Sequence, residues 1–180
     1  WMETRVARDD NHYELLNGRV VMTPPAGWPH GSVEGRLLTR MGNVAEAGAL
    51  GLVFGSSQGF ELPTGDTVEP DASFVSMARW RAAPPPEVGK FLRVVPDLLV
   101  EILSPSTASR DRGEKKAIYA LAGVREYLLV DSRARTLTVF LADGARFDLG
   151  RVLEEHELWG AAALPGLSLC LADLMVDYAR

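Results

Sequence analysis

Residues 96–107 read Pro-Asp-Leu-Leu-Val-Glu-Ile-Leu-Ser-Pro-Ser-Thr. The apolar run between Pro96 and Pro105 has the length and texture of a strand buried on both faces. Glu101 stands in its middle. An ionised carboxylate inside such a strand is costly unless it is paired or bound to a metal, so this one acid makes the stretch informative about chemistry as well as fold.

Upstream, Glu69-Pro70-Asp71 opens another apolar run, and residues 52–62, 68–75 and 96–103 read as three strands of one sheet. Side chains alternate along a strand, so Glu69, Asp71 and Ser73 share one face while Asp97, Leu99, Glu101 and Leu103 share one face of the neighbour. If those faces coincide, Asp71 and Glu101 meet. Two converging carboxylates repel each other unless a cation lies between them, and hard oxygen donors select magnesium or manganese. Such a cation would polarise a phosphoryl oxygen and acidify an attacking water, with a nearby ammonium, Lys115, steadying that water or the developing charge.

Further out, Asn17-Gly18 lies between two β-prone runs, the favoured pair for a two-residue hairpin turn. Residues 30–46 carry Val33, Leu37, Met41 and Val44 at helical spacing, with Glu34 beside that stripe and His30 one turn before it. Residues 78–89 contain Pro84-Pro85-Pro86, which predicts a surface excursion in place of a regular helix or central strand. Residues 110–122 predict a helix stopped by Gly123. Beyond it, 126–131 reads as a buried strand, 136–141 as a hairpin partner across Asp143-Gly144, and the tail ends in a short helix near Leu174. The order of elements predicts a mixed α/β (α+β) domain spanning residues 1–180, with helices packed on a sheet.

Composition sets the outer bounds. The 180 residues are 47% hydrophobic and 24% charged, and mean hydropathy is +0.00, values of a globule able to bury a core. No apolar run is long enough to span a bilayer, and the cytoplasm is the expected compartment. Net charge is -5 and the isoelectric point near 5.2, which argues against a protein that coats nucleic acid through bulk positive charge. A nuclease remains open, because metal-binding carboxylates count as negative until the metal arrives. One cysteine, Cys170, permits no internal disulfide. Nucleotide-binding glycine loops, HExxH and Gly-x-Ser-x-Gly elbows are absent from the sequence.

Taken together, Tyr13-Glu-Leu-Leu-Asn-Gly18, Glu69-Pro-Asp-Ala-Ser-Phe-Val75, residues 96–107, Arg110-Asp-Arg-Gly-Glu-Lys115 and Ala122-Gly-Val-Arg-Glu-Tyr-Leu-Leu-Val-Asp131 resemble the Uma-type restriction endonuclease family of the PD-(D/E)xK nuclease superfamily. The resemblance covers nearly the whole chain. It implies a restriction-endonuclease-like central mixed sheet flanked by helices, with N-terminal and C-terminal β-hairpins, and metal-dependent hydrolysis of DNA. It implies Asp71 as the metal-binding aspartate and Glu101 as the second acid. Leu103 stands where the usual lysine would, and similar families supply that lysine from the next helix, which implies Lys115 with Lys116 as fallback. Glu34 looks like the additional acid, also a metal ligand, that such folds contribute from their first helix, with His30 as a substrate or metal contact.

For DNA contact, residues 105–125 hold Arg110, Arg112, Lys115, Lys116 and Arg125 against Asp111 and Glu114, a local excess of three positive charges. Arg79, Trp80, Arg81, Lys90 and Arg93 add cations and an aromatic near the proline loop. A homodimer would suit cleavage of both DNA strands. Two other readings compete with the DNA endonuclease: a non-cleaving binding module on the same fold, and a hydrolase of RNA or another phosphoester.

Overall fold

The computed structural model describes residues 11–176. Asn17 and Gly18 adopt φ of 49° and 76°, the left-handed pair required by a tight hairpin, and join β1 (His12–Leu16) to β2 (Arg19–Thr23). The predicted first helix follows as α1 (His30–Ala47), which buries Val33, Leu37, Met41 and Ala45.

The region 52–62 divides, contrary to the expectation of one strand. Its first half is β3 (Gly51–Gly55) and its second is β4 (Phe60–Glu61). The former pairs with β6 (Ala72–Ser76), whereas the latter pairs with β5 (Thr67–Val68) in a different sheet. A turn from Gly55 to Gln58 separates them, closed by the Gln58 N–H donating to the Gly55 carbonyl at 3.1 Å. A second difference concerns the excursion before the prolines. Residues Met77–Ala82 form the short helix α2, started by Ser76, whose hydroxyl accepts from the Arg79 N–H at 3.4 Å. The chain leaves regular structure only at Ala83, just before Pro84.

The decisive strand is β7 (Leu98–Ile102). A helix over residues 108–122, α3, crosses back to β8 (Glu126–Asp131), which pairs parallel with β7. Gly123 ends α3 at φ 89°, a left-handed position that favours glycine. The remaining strands are β9 (Thr136–Asp143), β10 (Arg146–Phe147), β11 (Arg151–Glu154), β12 (Trp159–Gly160) and β13 (Ser168–Leu169).

Among the described residues the central sheet runs β10-β9-β8-β7-β6-β3, with β11 also on β9. A smaller sheet runs β2-β1-β5-β4, and β12 pairs β13. Alternation along the central strands divides the core between two faces. Ala72, Phe74, Leu98, Val100, Leu128 and Val130 meet α1 and the C-terminal segment. Val75, Leu99, Tyr127 and Leu129 meet α3 and the smaller sheet. The architecture is therefore a mixed α/β fold with helices on both faces. Glu101 belongs by parity to the α3 face, and there the chemistry collects.

Candidate active site

The antiparallel register of β6 on β7 pairs Ala72 with Val100 and Ser73 with Leu99. Continued one step, it sets Asp71 opposite Glu101 on one face, as alternation requires. Asp71 Oδ2 accepts from the Ile102 N–H at 2.6 Å, so the end of β7 fixes that carboxylate. His30, at the start of α1, places Nε2 3.2 Å from the same oxygen and Nδ1 4.0 Å from Glu34 Oε2. Glu34 in turn accepts from the Ser56 N–H at 3.2 Å.

Lys115 reaches into this region from α3. Its Nζ lies 2.6 Å from Glu101 Oε1 and 2.8 Å from Glu14 Oε1, and its side chain is only 4% exposed. The Tyr119 hydroxyl donates to Glu101 Oε1 at 2.6 Å. Along α3 the segment Asp111–Lys115 winds as a π-helix, a distortion common at functional positions. The Asp111 carbonyl accepts from the Tyr127 hydroxyl at 3.0 Å, and its carboxylate is buried with neither oxygen hydrogen-bonded.

Except for Tyr119 and Tyr127, which lie behind it, these groups line one cavity of about 350 Å³. It contains the carboxylates of Glu14, Glu34, Glu69, Asp71, Glu101 and Asp111, against the cations Lys115 and Arg110 and the rings of His12 and His30. Burial pushes the Glu101 carboxyl well above the usual carboxylate range; Lys115 opposes the rise, and Asp111, Asp71 and Glu14 add to it. For Lys115 burial pulls the other way, but Glu101, Glu14 and Asp111 outweigh it and hold the ammonium well above its ordinary value. Burial also lifts Asp111. His30 stays above its usual value because Asp71 and Glu34 overcome the burial that would lower it.

The sequence-derived residues sort cleanly. Glu34, Asp71, Glu101, Lys115, His30 and Arg110 all line the cavity, with the Arg110 guanidinium donating to the Thr23 hydroxyl at 3.0 Å. Lys116 and Arg112 do not. Lys116 lies over the Phe140 ring, 3.8 Å from its centroid, in a separate groove, because one helical step turns it about 100° from Lys115. Arg112 pairs with Asp131 at 2.7 Å on an exposed side. The proline-loop cations are also placed elsewhere: Arg79 binds the Val95 and Pro96 carbonyls and Asp97, while Arg93 pairs with Glu87. Sequence reasoning missed Glu14, His12, Asp111 and the role of Tyr119. Asp111, Lys115 and Tyr119 follow one another at four-residue steps, a spacing that could have revealed a polar stripe on one helix face.

As the side chains stand, no three His, Cys, Asp or Glu among the described residues form a group that could hold a metal ion. The donor set nonetheless suits a hard cation. No hydrogen bond among the described residues reaches Asp71 Oδ1 or Glu101 Oε2, and Asp111 is a buried acid without a donor. Six carboxylates against two fixed cations would repel an anionic substrate until further positive charge entered.

A family model described as Uma2, putative restriction endonuclease, matches residues 2–173. The chain belongs to the Uma2 family. A crystal structure of a putative nuclease belonging to DUF820, from Anabaena variabilis, superposes with a TM-score of 0.75. It is 18% identical, and the match covers 90% of this chain and 88% of that one. At that identity the likeness establishes a shared fold. A search of curated proteins returns no match. Membership of Uma2 supports a nuclease function, and no helix among the described residues is long and apolar enough to cross a membrane.

Proposed function

We propose that this Uma2 protein, acting as one domain over residues 1–180, is a magnesium- or manganese-dependent endonuclease that hydrolyses phosphodiester bonds in DNA. One observation carries the reading: Asp71, Glu101 and Lys115, from two adjacent strands and the following helix, line a single cavity, with Lys115 Nζ 2.6 Å from Glu101. Asp71, Glu101 and Glu34 would hold the cation, which when bound polarises the phosphoryl group and acidifies the attacking water.

The protein's own groups have separable tasks. The Ile102 N–H and His30 orient Asp71. Tyr119 and Lys115 orient Glu101. Lys115 remains protonated and supplies a fixed positive charge toward the phosphorane, the electrostatic role that a water-poor site makes effective. Arg110, His30 and the hydroxyls of Ser104, Ser106 and Thr107 line the side where a backbone phosphate would enter. The setting we propose is cytoplasmic, and cleavage of both strands would take two chains related by a two-fold axis.

The test is incubation of supercoiled plasmid with the purified protein and manganese or magnesium, beside Glu101→Gln and a chelator control. Nicking or linearisation lost in both controls supports the reading. An intact plasmid despite measurable metal binding would overturn it in favour of a non-cleaving module, or of RNA or another phosphoester as substrate, which parallel incubations with those substrates separate.

A further inference from the structure

Breaking a phosphodiester requires more than an activated water. As the water oxygen bonds to phosphorus, the bond to the leaving oxygen breaks and its electron pair departs as an alkoxide. That alkoxide is a poor leaving group at neutral pH unless a proton meets it. The cavity offers few donors. Lys115 is ion-paired to both Glu14 and Glu101, and surrendering its proton would strand two buried carboxylates. Tyr119 already donates to Glu101 and is fully buried. Arginine does not give up its proton in proteins. His30 has a ring nitrogen on Asp71 and its other facing Glu34, so both its nitrogens are engaged in orienting the proposed ligands.

His12 differs from each of these. It opens β1, lines the same cavity and is 35% exposed. Its Nδ1 lies 3.0 Å from Glu69 Oε2, while Nε2 makes no hydrogen bond among the described residues. A carboxylate on one ring nitrogen fixes the tautomer and aims the other. Glu69 is fixed in turn, because its own N–H donates to Glu14 Oε1 at 3.0 Å.

We propose that His12 is the general acid that protonates the leaving oxygen, and that Glu69 is the positioning residue that orients its ring. The inference rests on the phosphodiester-hydrolysis reading above. Nε2–H gives its proton to the departing alkoxide, and the neutral imidazole regains one from solvent before the next turnover. The surroundings favour the protonated ring. Its hydrogen bond to Glu69 raises its affinity for a proton above the usual histidine value against the effect of burial, and the charges of Glu69, Asp71 and Glu14 act in the same direction.

General-acid catalysis predicts a selective defect. An aryl leaving group such as p-nitrophenolate departs without a proton, whereas a deoxyribose alkoxide does not. His12→Asn is therefore expected to slow plasmid nicking by about 10²–10⁴-fold while changing hydrolysis of a p-nitrophenyl phosphodiester by no more than roughly 3-fold, well under one such catalytic step. General-acid catalysis by His12 also predicts a fall in the wild-type rate at high pH, which the variant should lose. Glu69→Gln should give a milder defect with the same selectivity. Independently of turnover, NMR titration should place the His12 ring above 6.5, its ordinary value, and lower it in Glu69→Gln.

Equal losses on both substrates, or none on plasmid, would overturn the proposal, as would a ring titrating at or below the ordinary value. Wild type inert toward every phosphodiester would remove the nuclease reading itself, and this inference with it. Should wild type nick plasmid but ignore the aryl ester, the pH profile and the NMR titration decide.

Discussion

Replacing Lys115 by methionine keeps an unbranched side chain one atom shorter and deletes its charge. The ammonium makes two buried ion pairs, at 2.8 Å to Glu14 and 2.6 Å to Glu101, and its charge also acts on the buried carboxylate of Asp111. Removing one partner of a buried pair leaves an uncompensated charge and costs about 3–5 kcal/mol, or a melting-temperature decrease of roughly 6–20 °C for a chain of this size. Wild-type Lys115 stays charged well past its ordinary value, so its stabilisation is flat between pH 5 and 8 and is lost only as pH rises through that raised native value. In Lys115→Met the carboxylates of Glu101, Glu14 and Asp111 lose their opposing charge and bind protons more tightly in the native state. An acid raised on folding makes the native state the greater proton binder, so stability falls as pH rises above the ordinary carboxylate range. Urea unfolding of both proteins at pH 5 and pH 7.5 should therefore give a smaller deficit at the lower pH. A deficit below about 1 kcal/mol at pH 7.5, the level of an exposed pair, or one equal at both values, would refute the compensation argument.

Three other substitutions probe the frame around the cavity. Tyr119→Phe removes the 2.6 Å bond to Glu101 but leaves Lys115 in place, and chemical denaturation should register a loss of about 1–2 kcal/mol. Glu126 accepts from Trp159 Nε1 and the Ala163 N–H, both at 2.8 Å, so Glu126→Gln must turn an amide NH₂ toward a donor and cost about 1–3 kcal/mol at neutral pH. Burial raises this carboxyl despite those two bonds, so wild-type stability should fall as pH rises from about 4.5 through the raised native value, and the variant should lose that portion of the slope. Gly123→Ala forces an alanine to φ 89° at the end of α3. Calorimetry should show a loss of about 1 kcal/mol, and an unchanged melting temperature would place the strain elsewhere.

Local rules made much of this molecule readable in its sequence. Asn17-Gly18 encodes a turn through its own backbone preferences, and the stripe of Val33, Leu37 and Met41 encodes a helix face that meets the sheet. The meeting of Asp71 and Glu101 follows from period-two alternation once the two strands are neighbours. What stayed hidden depends on partners distant in the chain. The division of residues 52–62 is decided by β5 pairing with both β4 and β1, contacts no local pattern announces. Asp111 is a solvated helix acid until Tyr127 captures its carbonyl and the packing of α3 buries it. Periodicity along α3 does not separate Lys115 from Lys116 either, since Lys115 precedes Ile118 and Tyr119 and Lys116 precedes Tyr119 and Ala120 at the same spacing, all three buried; the distant partners Glu14 and Glu101 decide it.

The charge balance of the cavity explains how a stable fold can carry such a site. Six carboxylates gathered from β1, α1, the approach to β6, β7 and α3 would oppose folding if all were ionised and unpaired. Protein donors relieve Glu14 through Lys115, Glu101 through Lys115 and Tyr119, and Asp71 through Ile102 and His30. Glu34 and Glu69 are held by a backbone N–H and by His12. Asp111 remains with no hydrogen-bonded partner. A chain selected for stability alone would place an apolar residue there, since a well-packed hydrophobe costs nothing to desolvate. The burial of Asp111 beside Lys115, in the π-helical turn of α3, is a local cost of the kind that folds carry at functional sites. Under the proposed function, that cost is offset when a cation enters the cavity and adds the positive charge that Lys115 and Arg110 do not fully supply.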